Sequence, residues 1–356
     1  MTGYPSVVKS ELLTQARTDI DGALQRFIAQ ESKSLLEIGD ELSAVSNAME
    51  RYVLAGGKRL RPLFAYVGYL GSGKEINQNH IAALTSLELI HVCALMHDDL
   101  MDGSDTRRGA PSLHREFEAL HRKNSLNGRP DQFGAAAAIL LGDLALVWSA
   151  KMFHESGITK EELLAALKVY DDLRVELMAG QYLDVFEQTK HSSSIERSMK
   201  IARFKSGKYT IERPLHFGAA LSGTTQLFTS YSNYGLPLGE AFQLRDDVLG
   251  VFGESAQTGK PSGDDLLEGK RTALIAKTFE LSKPNQAMVI SSVLGNKGAA
   301  PAEIEKAKEI IQETGALDFI EKLISNLTET AIAATTGLAN QEILIELAQL
   351  ASKRSS

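Results

Sequence analysis

The feature that most constrains how this chain folds is a long apolar segment that ends in a cluster of charges. Residues 81–96 are largely apolar and contain neither glycine nor proline, which predicts a buried helix from about Gln78 to Asp102. Three aspartates close this helix and two arginines follow it: Asp98, Asp99, Asp102, Arg107 and Arg108. The charged end of an otherwise buried helix is therefore the first candidate for a functional site.

The acidic residues at this helix end predict a bound cation. Asp98 and Asp102 are four residues apart and share one face of the helix. Their carboxylates repel each other and meet the negative pole of the helix dipole, which is unfavourable unless a cation is bound. Mg2+ binds one or two carboxylates together with phosphate oxygens, and the guanidinium groups of Arg107 and Arg108 fit phosphate geometry. The alternative is that these charges form only a solvated helix terminus.

A second acidic helix end lies far downstream. Residues 234–244 are mostly apolar and are followed by Asp246 and Asp247. Two aspartate-rich helix ends that face one cleft would clamp a diphosphate through several metal ions. With two such motifs in this order, the chain resembles the trans-isoprenyl diphosphate synthases, also called polyprenyl synthetases, whose first and second aspartate-rich motifs match these two sites.

The helical patterns continue along the chain and predict an all-α protein. No alternating strand pattern of useful length is present. A length of 356 residues would by itself suggest about two domains, but no linker divides the chain. The resemblance implies the isoprenoid synthase fold, a single-domain bundle of long helices around a central cavity. We therefore expect residues 1–356 to form one isoprenyl diphosphate synthase domain.

A basic turn precedes the central helix. Residues 56–62 read Gly-Gly-Lys-Arg-Leu-Arg-Pro, and the free N–H groups of a helix start there also favour an anion. The alternative is an ordinary basic turn on the surface. The segment resembles the GGKRxRP signature of the family, which implies that Lys58 and Arg61 bind the diphosphate of isopentenyl diphosphate. His91, two turns before Asp98 on the same face, suits a further contact to that substrate, although a lone histidine is more often structural.

The resemblance implies roles for most of the remaining polar motif residues. Mg2+, three ions per active site, would be held by the aspartates of both motifs: Asp98, Asp99, Asp102, Asp246 and Asp247. Catalytic roles are implied for a smaller set: Asp98, Asp102, Lys205, Gln243 and Asp246. Substrate binding is implied for cationic and polar side chains along the chain: Lys58, Arg61, His91, Arg107, Arg108, Lys205, Ser206, Gln243, Lys260 and Lys270.

Together these roles imply a prenyltransferase. It would condense isopentenyl diphosphate with an allylic diphosphate (dimethylallyl, geranyl or farnesyl) by Mg-assisted ionisation, condensation and proton elimination. Cys93 and Ala94 lie about one helical turn before Asp98 and are small, where bulky aromatics in the family stop elongation at fifteen carbons. The expected product is therefore geranylgeranyl diphosphate. The alternative is that Ala94 is small only to let a neighbouring helix approach.

Other interpretations of the same residues stay open. A longer-chain polyprenyl or a farnesyl diphosphate synthase carries the same motifs and differs in product length. A class I terpene cyclase also ionises an allylic diphosphate but needs no second diphosphate site, which would leave Lys58, Arg61 and His91 unexplained. A non-catalytic helical regulatory subunit of a synthase would be expected to have lost its aspartate motifs, whereas the first motif here is intact.

The second motif departs from the family pattern. Gly250 stands where the family has a third aspartate, which puts the coordination of one Mg2+ in doubt. Asp264 and Asp265 are candidates to help, but nothing in the sequence shows it. If the missing carboxylate is dispensable, Gly250→Asp should change activity only modestly. Residues 250–271 are rich in glycine and charge and predict a flexible loop that closes over phosphates.

Composition limits the partners and the compartment. The formal net charge of −7 argues against general nucleic-acid binding. The single cysteine excludes an internal disulfide framework and fits a reducing cytoplasm. No signal peptide is expected, because residues 1–30 have no apolar core flanked by basic residues, and no transmembrane segment is expected, because no run reaches about 18 uncharged apolar residues. The family resemblance and the uniformly apolar helices near Leu84 and Ala135 indicate a homodimer.

Overall fold

The computed structural model describes residues 6–190, 194–253 and 262–352, and it is almost entirely helical, which confirms the predicted all-α fold. Up to residue 190 the described helices are α1 Ser6–Ile38, α2 Ser43–Leu54, α3 Leu60–Leu70, α4 Gln78–Asp102, α5 Leu113–Lys123, α6 Pro130–His154 and α7 Lys160–Gln188. The later ones are α8 Ile195–Ile201, the π-helical segment Ala202–Glu212, α9 Arg213–Leu221, α10 Phe228–Phe252, α11 Asp264–Glu268, α12 Ala273–Leu281, α13 Pro284–Val293, α14 Pro301–Glu313, α15 Ala316–Ala333 and α16 Gln341–Ser352.

A short hairpin follows the first acidic motif. Strand β1, Thr106–Arg107, pairs antiparallel with strand β2, Ala110–Pro111. The residues between the strands, Arg108 and Gly109, have φ angles of 52° and 76°, as a tight hairpin turn requires. Two residues per strand are too few for an alternating sequence pattern, so the sequence did not predict this hairpin. It turns the chain back so that Arg107 reaches α4.

Helix α4 is the central element, and its bounds agree with the sequence prediction. Its first turn is capped by the side chain of Asn77, which accepts hydrogen bonds from the N–H groups of Asn79 and His80. Its last turn ends at Gly103 in the left-handed conformation, with φ 62°. Most side chains between these ends are buried, and α4 packs along α6. The acidic residues therefore lie at the end of a helix that the core holds firmly.

Two glycines allow the π-helical segment to lie between α7 and α10. A Cβ built on Gly239 of α10 would lie 2.3 Å from the Cα of Gly207 in that segment. A Cβ built on Gly180 of α7 would lie 2.4 Å from the backbone nitrogen of Lys205. Any side chain at either position would push the helices apart. The backbones therefore meet directly, and this contact fixes where Lys205 stands.

The apolar interior consists of two clusters that share α10. The larger cluster packs most helices from α1 to α10 together with α16, and Phe153 at its centre is fully buried. The smaller cluster packs the end of α10 against the helices from α11 to α15. Leu238 of α10 belongs to the first cluster and Leu244 to the second. The predicted single domain over residues 1–356 is compatible with this shared helix and stays a prediction.

Two of the described helices, α4 and α6, are long and apolar enough by composition to span a membrane. In α4, 72% of its most apolar 18-residue stretch is buried inside the protein, as expected for a core helix. In α6 the buried share is 44%, and Ile139, Leu140 and Val147 are exposed on its surface. These side chains of α6 are therefore not covered by the rest of the described chain.

Candidate active site

A cavity of about 700 Å³ lies between α4, α7, α10 and the π-helical segment. Most of the predicted site residues line it: Lys58, Arg61, His91, Ala94, Asp98, Arg107, Arg108, Lys205, Ser206, Gln243, Asp246, Asp247 and Lys270. Cys93, Asp99 and Asp102 are not among the lining residues. Lys260 lies outside the described residues.

Lys205 joins three elements at the acidic part of the wall. Its Nζ donates to Asp98 Oδ1 at 3.1 Å and to Asp184 Oδ2 at 2.6 Å. Gln181 Nε2 also donates to Asp98 Oδ1, at 2.8 Å. Burial alone would raise the pKa of Asp98, but Lys205 and other cations nearby lower it well below its usual range. Asp98 is therefore a carboxylate at neutral pH, as a metal ligand must be.

Asp102 lies one helical turn beyond Asp98, with a side chain that is 2% exposed. Burial, followed by the charge of Asp98, raises the pKa of Asp102 to about 6. Its Oδ2 lies 3.4 Å from Lys270 Nζ but accepts no hydrogen bond from the described part of the chain. A buried carboxylate with an unsatisfied oxygen beside a second carboxylate is stabilised when a cation binds.

Asp99 faces away from the cavity, which differs from the expectation that it contacts metal. Its side chain is fully buried, and Arg107 Nε lies 3.0 Å from each of its two oxygens. Arg107 Nη2 donates to the same carboxylate. Burial alone would lower the pKa of Arg107, but this hydrogen bond and the charge of Asp99 raise it. The physical reason is helix geometry: consecutive residues point about 100° apart, so Asp98 and Asp99 cannot share one face.

Lys270 connects the first acidic motif to α11. Its Nζ lies 3.4 Å from Asp102 Oδ2, 3.0 Å from Asp265 Oδ1 and 2.8 Å from Glu268 Oε2. Burial alone would lower the pKa of Lys270, but these carboxylates raise it well above its usual range. Lys270 is therefore a permanent cation between the first motif and α11, where it can donate to phosphate oxygens.

The second motif lies at the end of α10 and is tied to the π-helical segment. Ser206 donates to the amide oxygen of Gln243, and Gln243 Nε2 donates to Asp247 Oδ1 at 2.7 Å. Burial raises the pKa of Asp247 to about 8, and the charges of Asp265 and Asp246 act in the same direction. Asp247 therefore holds a proton at neutral pH, and a cation bound beside it would favour its carboxylate form.

A separate part of the wall is basic. Lys58, Arg61 and Arg108 line it, and Arg108 Nη1 donates to the carbonyl oxygen of Gly56 at 3.1 Å. Burial lowers the pKa of Arg108, and the neighbouring charge of Arg107 adds to this effect. Cations that line one wall together favour an anionic ligand, because its charge relieves the repulsion among them.

Tyr209 was missed by sequence reasoning and connects the residues of the basic region. Its hydroxyl lies 2.9 Å from His91 Nδ1, and the guanidinium carbon of Arg61 lies 4.2 Å above its ring. Burial, followed by the charge of Arg61, lowers the pKa of His91 well below its usual range, so the ring is neutral. In the tautomer in which Nδ1 accepts from the Tyr209 hydroxyl, the imidazole proton is on Nε2, from which it can be donated to an anion. The position of Tyr209, four residues after Lys205, is a signal that could have found it.

Arg59 is a second residue that sequence reasoning missed. Its Nε donates to Asp21 Oδ1 at 2.8 Å, its Nη1 donates to Glu88 Oε1 at 2.9 Å, and its Nη2 donates to a backbone carbonyl of α2 at 3.0 Å. Its side chain is 3% exposed, and its backbone has the left-handed φ of 48°. Arg59 thereby anchors the basic turn to α1 and α4 and holds its neighbours Lys58 and Arg61 in place.

Ala94 and Cys93 differ in where they point. Ala94 lines the cavity, whereas Cys93 is fully buried with its Sγ 3.7 Å from Nδ1 of His97. His97 in turn lies 3.1 Å, through Nε2, from the carbonyl oxygen of Ile139 in α6. Burial raises the pKa of the Cys93 thiol to about 12, which makes it an inert packing residue. The structure thus brings Ala94, but not Cys93, to the wall along which a product would extend.

The acidic residues fit a diphosphate that carries Mg2+. Among the described residues, no three acidic, histidine or cysteine side chains converge into a complete metal cage. Mg2+ does not need one, because one or two carboxylates and the oxygens of a phosphate ligand complete its octahedral shell. Asp98 and Asp246 at the cavity wall, together with the unsatisfied oxygen of Asp102, provide such carboxylates.

Comparison with known proteins identifies the family. A model of the polyprenyl synthetase family matches residues 43–311, which include the basic turn and both acidic motifs. The chain belongs to the polyprenyl synthetase family. This membership confirms the family predicted from the motifs, and with it the prenyltransferase class of enzyme.

Individual relatives of this polyprenyl synthetase support the same conclusion. The chain is 31% identical over 282 residues to a geranylfarnesyl diphosphate synthase of Aeropyrum pernix, covering 78% of this chain and 82% of the relative. It is 31% identical over 301 residues to a geranylgeranyl diphosphate synthase of Methanosarcina mazei, covering 82% and 84%. A solved structure of geranylgeranyl pyrophosphate synthase from Corynebacterium glutamicum, complexed with isoprenyl diphosphate and magnesium, superposes with a TM-score of 0.92 at 39% identity over 96% of this chain and 99% of that one.

Proposed function

We propose that this polyprenyl synthetase condenses isopentenyl diphosphate with an allylic diphosphate and forms geranylgeranyl diphosphate. The observation that carries the proposal is one cavity whose wall holds an acidic region that fits metal and a separate basic region. Two diphosphate substrates need two such binding regions. The relatives named as geranylgeranyl diphosphate synthases support the length of the product.

The allylic diphosphate binds at the acidic region. When three Mg2+ ions are bound there, their charge neutralises the leaving diphosphate. The residues that would hold the ions are aspartates of the two motifs: Asp98, Asp102, Asp246 and Asp247. Lys205 and Lys270 stay cationic because the surrounding carboxylates raise the pKa of each lysine despite its burial. They donate to the diphosphate oxygens as negative charge develops on them during ionisation.

Neighbouring side chains hold these donors in position before the substrate arrives. The hydroxyl of Ser206 orients the amide of Gln243, whose nitrogen is bonded to Asp247. Asp99 holds the guanidinium of Arg107 at the cavity wall, so Asp99 acts through Arg107 in this proposal. Groups that are already in place need no reorganisation when the C–O bond breaks, which is the source of their catalytic effect.

Isopentenyl diphosphate binds at the basic region. Lys58, Arg61 and Arg108 supply positive charge, and the neutral ring of His91 donates a hydrogen bond without adding to the repulsion among them. His91 and Asp98 are seven residues apart on α4, roughly 10 Å along the helix axis. The double bond of isopentenyl diphosphate therefore lies between the two regions, against the cationic carbon. The released diphosphate takes the final proton, so no protein base is required.

Diphosphate release by the purified chain tests this function against its rivals. The chain is incubated with Mg2+ and farnesyl diphosphate, with and without isopentenyl diphosphate, and released diphosphate is measured by a coupled assay. We expect release only when both substrates are present, and none after chelation of the metal by EDTA. Release without isopentenyl diphosphate would indicate a terpene cyclase. No release under any of these conditions, and none with geranyl diphosphate in place of farnesyl diphosphate, would indicate a subunit that needs a catalytic partner.

A homodimer is a further part of the proposal. Helix α7 exposes four large apolar side chains at helical spacing: Val175, Met178, Tyr182 and Phe186. Helix α6 exposes a second apolar face, which includes Leu140 and Val147. Such faces need a cover in water, and a second copy of this chain presents the same faces in a two-fold arrangement.

The cellular setting inferred from the sequence remains a prediction. A cytoplasmic location fits the single thiol of Cys93, which the fold buries. Nucleic acid is not expected as a partner, because the net charge of −7 disfavours it.

A further inference from the structure

The second acidic motif lacks a side chain at its fifth position. It reads Asp246-Asp247-Val248-Leu249-Gly250, and Gly250 lies within α10, four residues after Asp246. Residues four apart share one face of a helix, so a side chain at this position would point the same way as Asp246. A glycine inside a helix weakens it, so its presence here needs a physical reason.

The carboxylate of Asp265 fills the space next to Gly250. A Cβ built on Gly250 would lie 1.9 Å from Asp265 Oδ2 and 2.3 Å from Asp265 Cγ. These distances are far shorter than any real contact between such atoms. Asp265 belongs to α11, and it lines the same cavity as Asp246 and Asp247. A carboxylate that arrives from another helix therefore occupies the place where a third aspartate of α10 would project.

We propose that Asp265 supplies the carboxylate that the second motif lacks, as part of the site for the divalent cations of a bound diphosphate. The inference rests on the proposed function, because it concerns the same cations. It also distinguishes between the two nearby carboxylates, since the space at Gly250 is filled by Asp265 and not by Asp264.

The surroundings hold Asp265 in this place. Lys270 Nζ lies 3.0 Å from Asp265 Oδ1, and the backbone N–H of Lys270 donates to the carbonyl oxygen of Asp265 at 3.0 Å. The next residue, Leu266, is 1% exposed in the smaller apolar cluster, and its carbonyl oxygen accepts from the N–H of Gly295 at 2.8 Å. Helix α11 is therefore fixed by packing although it is short.

A second observation also indicates a cation in this region. Asp102 Oδ2 is buried and accepts no hydrogen bond from the described residues, and it lies 3.4 Å from the same Lys270 ammonium that contacts Asp265. The carboxylates of Asp102 in the first motif and Asp265 in α11 thus approach one ammonium group, that of Lys270. A diphosphate that brings divalent cations would add the positive charge that these acids lack.

One consequence is that Gly250 is required. From the sequence alone, Gly250→Asp is expected to change activity only modestly if the missing carboxylate is dispensable. The structure leads to the opposite expectation, because the new side chain would collide with Asp265 and displace it. Only a simultaneous removal of the Asp265 side chain makes room for a carboxylate on α10.

Moving the carboxylate from Asp265 of α11 to position 250 of α10 tests the proposal. The variants are Gly250→Asp, Asp265→Gly, the double variant with both changes, and Asp265→Asn, which keeps the side-chain shape. Asp264→Asn is the matched control on α11. Binding of inorganic diphosphate to each intact chain in saturating Mg2+ is measured by isothermal titration calorimetry, and folding is checked by circular dichroism.

We expect each single change at Gly250 or Asp265 to weaken Mg2+-dependent diphosphate binding by about tenfold or more, and the double variant to recover most of this loss. Asp264→Asn should bind like the unchanged protein. Wild-type affinity in a folded Asp265→Asn variant would overturn the inference and leave the proposed function intact. Absence of Mg2+-dependent diphosphate binding by the unchanged chain would overturn both.

Discussion

At the scale of single residues, two buried lysines hold carboxylates from different helices close together. Lys205 joins Asp98 to Asp184, and Lys270 contacts Asp102 and Asp265. Both lysines keep their charge because the carboxylates outweigh the cost of burial. Cations and carboxylates that are already placed around the cavity can stabilise a leaving diphosphate without rearrangement.

The first prediction concerns Asp98. Asp98→Ala should lower kcat by about a thousandfold, because the carboxylate organises positive charge that matters most in the transition state. The free energy of unfolding should fall only modestly, because relief of the repulsion with Asp102 offsets part of the lost contacts of Asp98 with Lys205 and Gln181. Steady-state kinetics and urea unfolding measure the two effects. Asp171→Ala, at a half-exposed carboxylate of α7, should leave kcat unchanged, and wild-type turnover in Asp98→Ala would remove Asp98 from the site.

The second prediction concerns His91. A glutamine amide can accept from Tyr209 and donate to an anion, as the neutral imidazole does. His91→Gln should therefore raise KM for isopentenyl diphosphate by less than about tenfold, whereas His91→Ala should raise it by more. KM for the allylic substrate should stay the same in both. Equal effects on the two substrates would contradict the placement of His91 in the basic region.

The buried state of His91 also predicts a pH dependence of stability. Its pKa lies well below 6.5 in the folded protein, whereas the unfolded chain takes up a proton near 6.5. Because the unfolded state binds more protons below this pH, the protein loses stability as the pH falls through 6.5. Between pH 7.5 and 5.5, His91→Gln should lose up to about 1 kcal/mol less unfolding free energy than the unchanged protein. Equal losses in both would show that His91 is protonated when folded.

The residues that sequence reasoning found and missed differ in a physical way. Asp98 and Lys58 lie in compact motifs whose charges are unusual for their surroundings, so the sequence alone indicates them. Tyr209 gains its role only from partners far away in the chain, such as His91. No local pattern records contacts of that kind, because they exist only after the helices have packed.

At the scale of elements, the rotation of α4 about its own axis decides which of its side chains face the cavity. The length and bounds of this helix could be predicted, because its apolar run is long and its charges mark the end. Which side chains of α4 face the cavity could be predicted only in part. Cys93 and Ala94 are neighbours in sequence, yet one packs toward α6 and the other faces the cavity. The direction of a helix face depends on its neighbours, which the sequence of α4 does not contain.

The third prediction uses this difference between neighbouring residues. Ala94→Phe should narrow the cavity below Asp98 and shift the product to a shorter chain, with catalysis retained. Cys93→Phe should instead overpack the contact with α6 and cost about 1–3 kcal/mol of stability, with product length unchanged. Chromatography of the dephosphorylated products measures the chain length. Unchanged product length in an active Ala94→Phe variant would remove Ala94 from the path of the growing chain.

At the scale of the whole molecule, the exposed apolar faces of α6 and α7 predict self-association. Replacing Val175 and Tyr182, each 68% exposed, by glutamate should place charges in the interface and give a monomer. Lys168→Gln on the polar face of α7 is the control and should remain a dimer. Light scattering at micromolar concentration measures the mass of each species. A monomeric unchanged protein under the same conditions would contradict the dimer.

The molecule as a whole also explains why the motifs fall far apart in sequence. The basic turn, the two acidic motifs and the π-helical segment come from separate stretches, and their side chains meet only because α3, α4, α7 and α10 surround one cavity. The order of the motifs allowed the fold to be predicted. The link from the first acidic motif to Asp265 through Lys270 could not be predicted, because it depends on how α11 packs against α10.

The most direct test of this whole arrangement is the identity of the product. The purified chain is given Mg2+, isopentenyl diphosphate and either geranyl or farnesyl diphosphate, and the dephosphorylated products are separated by chromatography against isoprenoid alcohol standards. A cavity that binds two diphosphates and opens past Ala94 should give geranylgeraniol as the main product from both primers. A product that stops at farnesol, a ladder of longer chains, or no condensation product would contradict the proposed function.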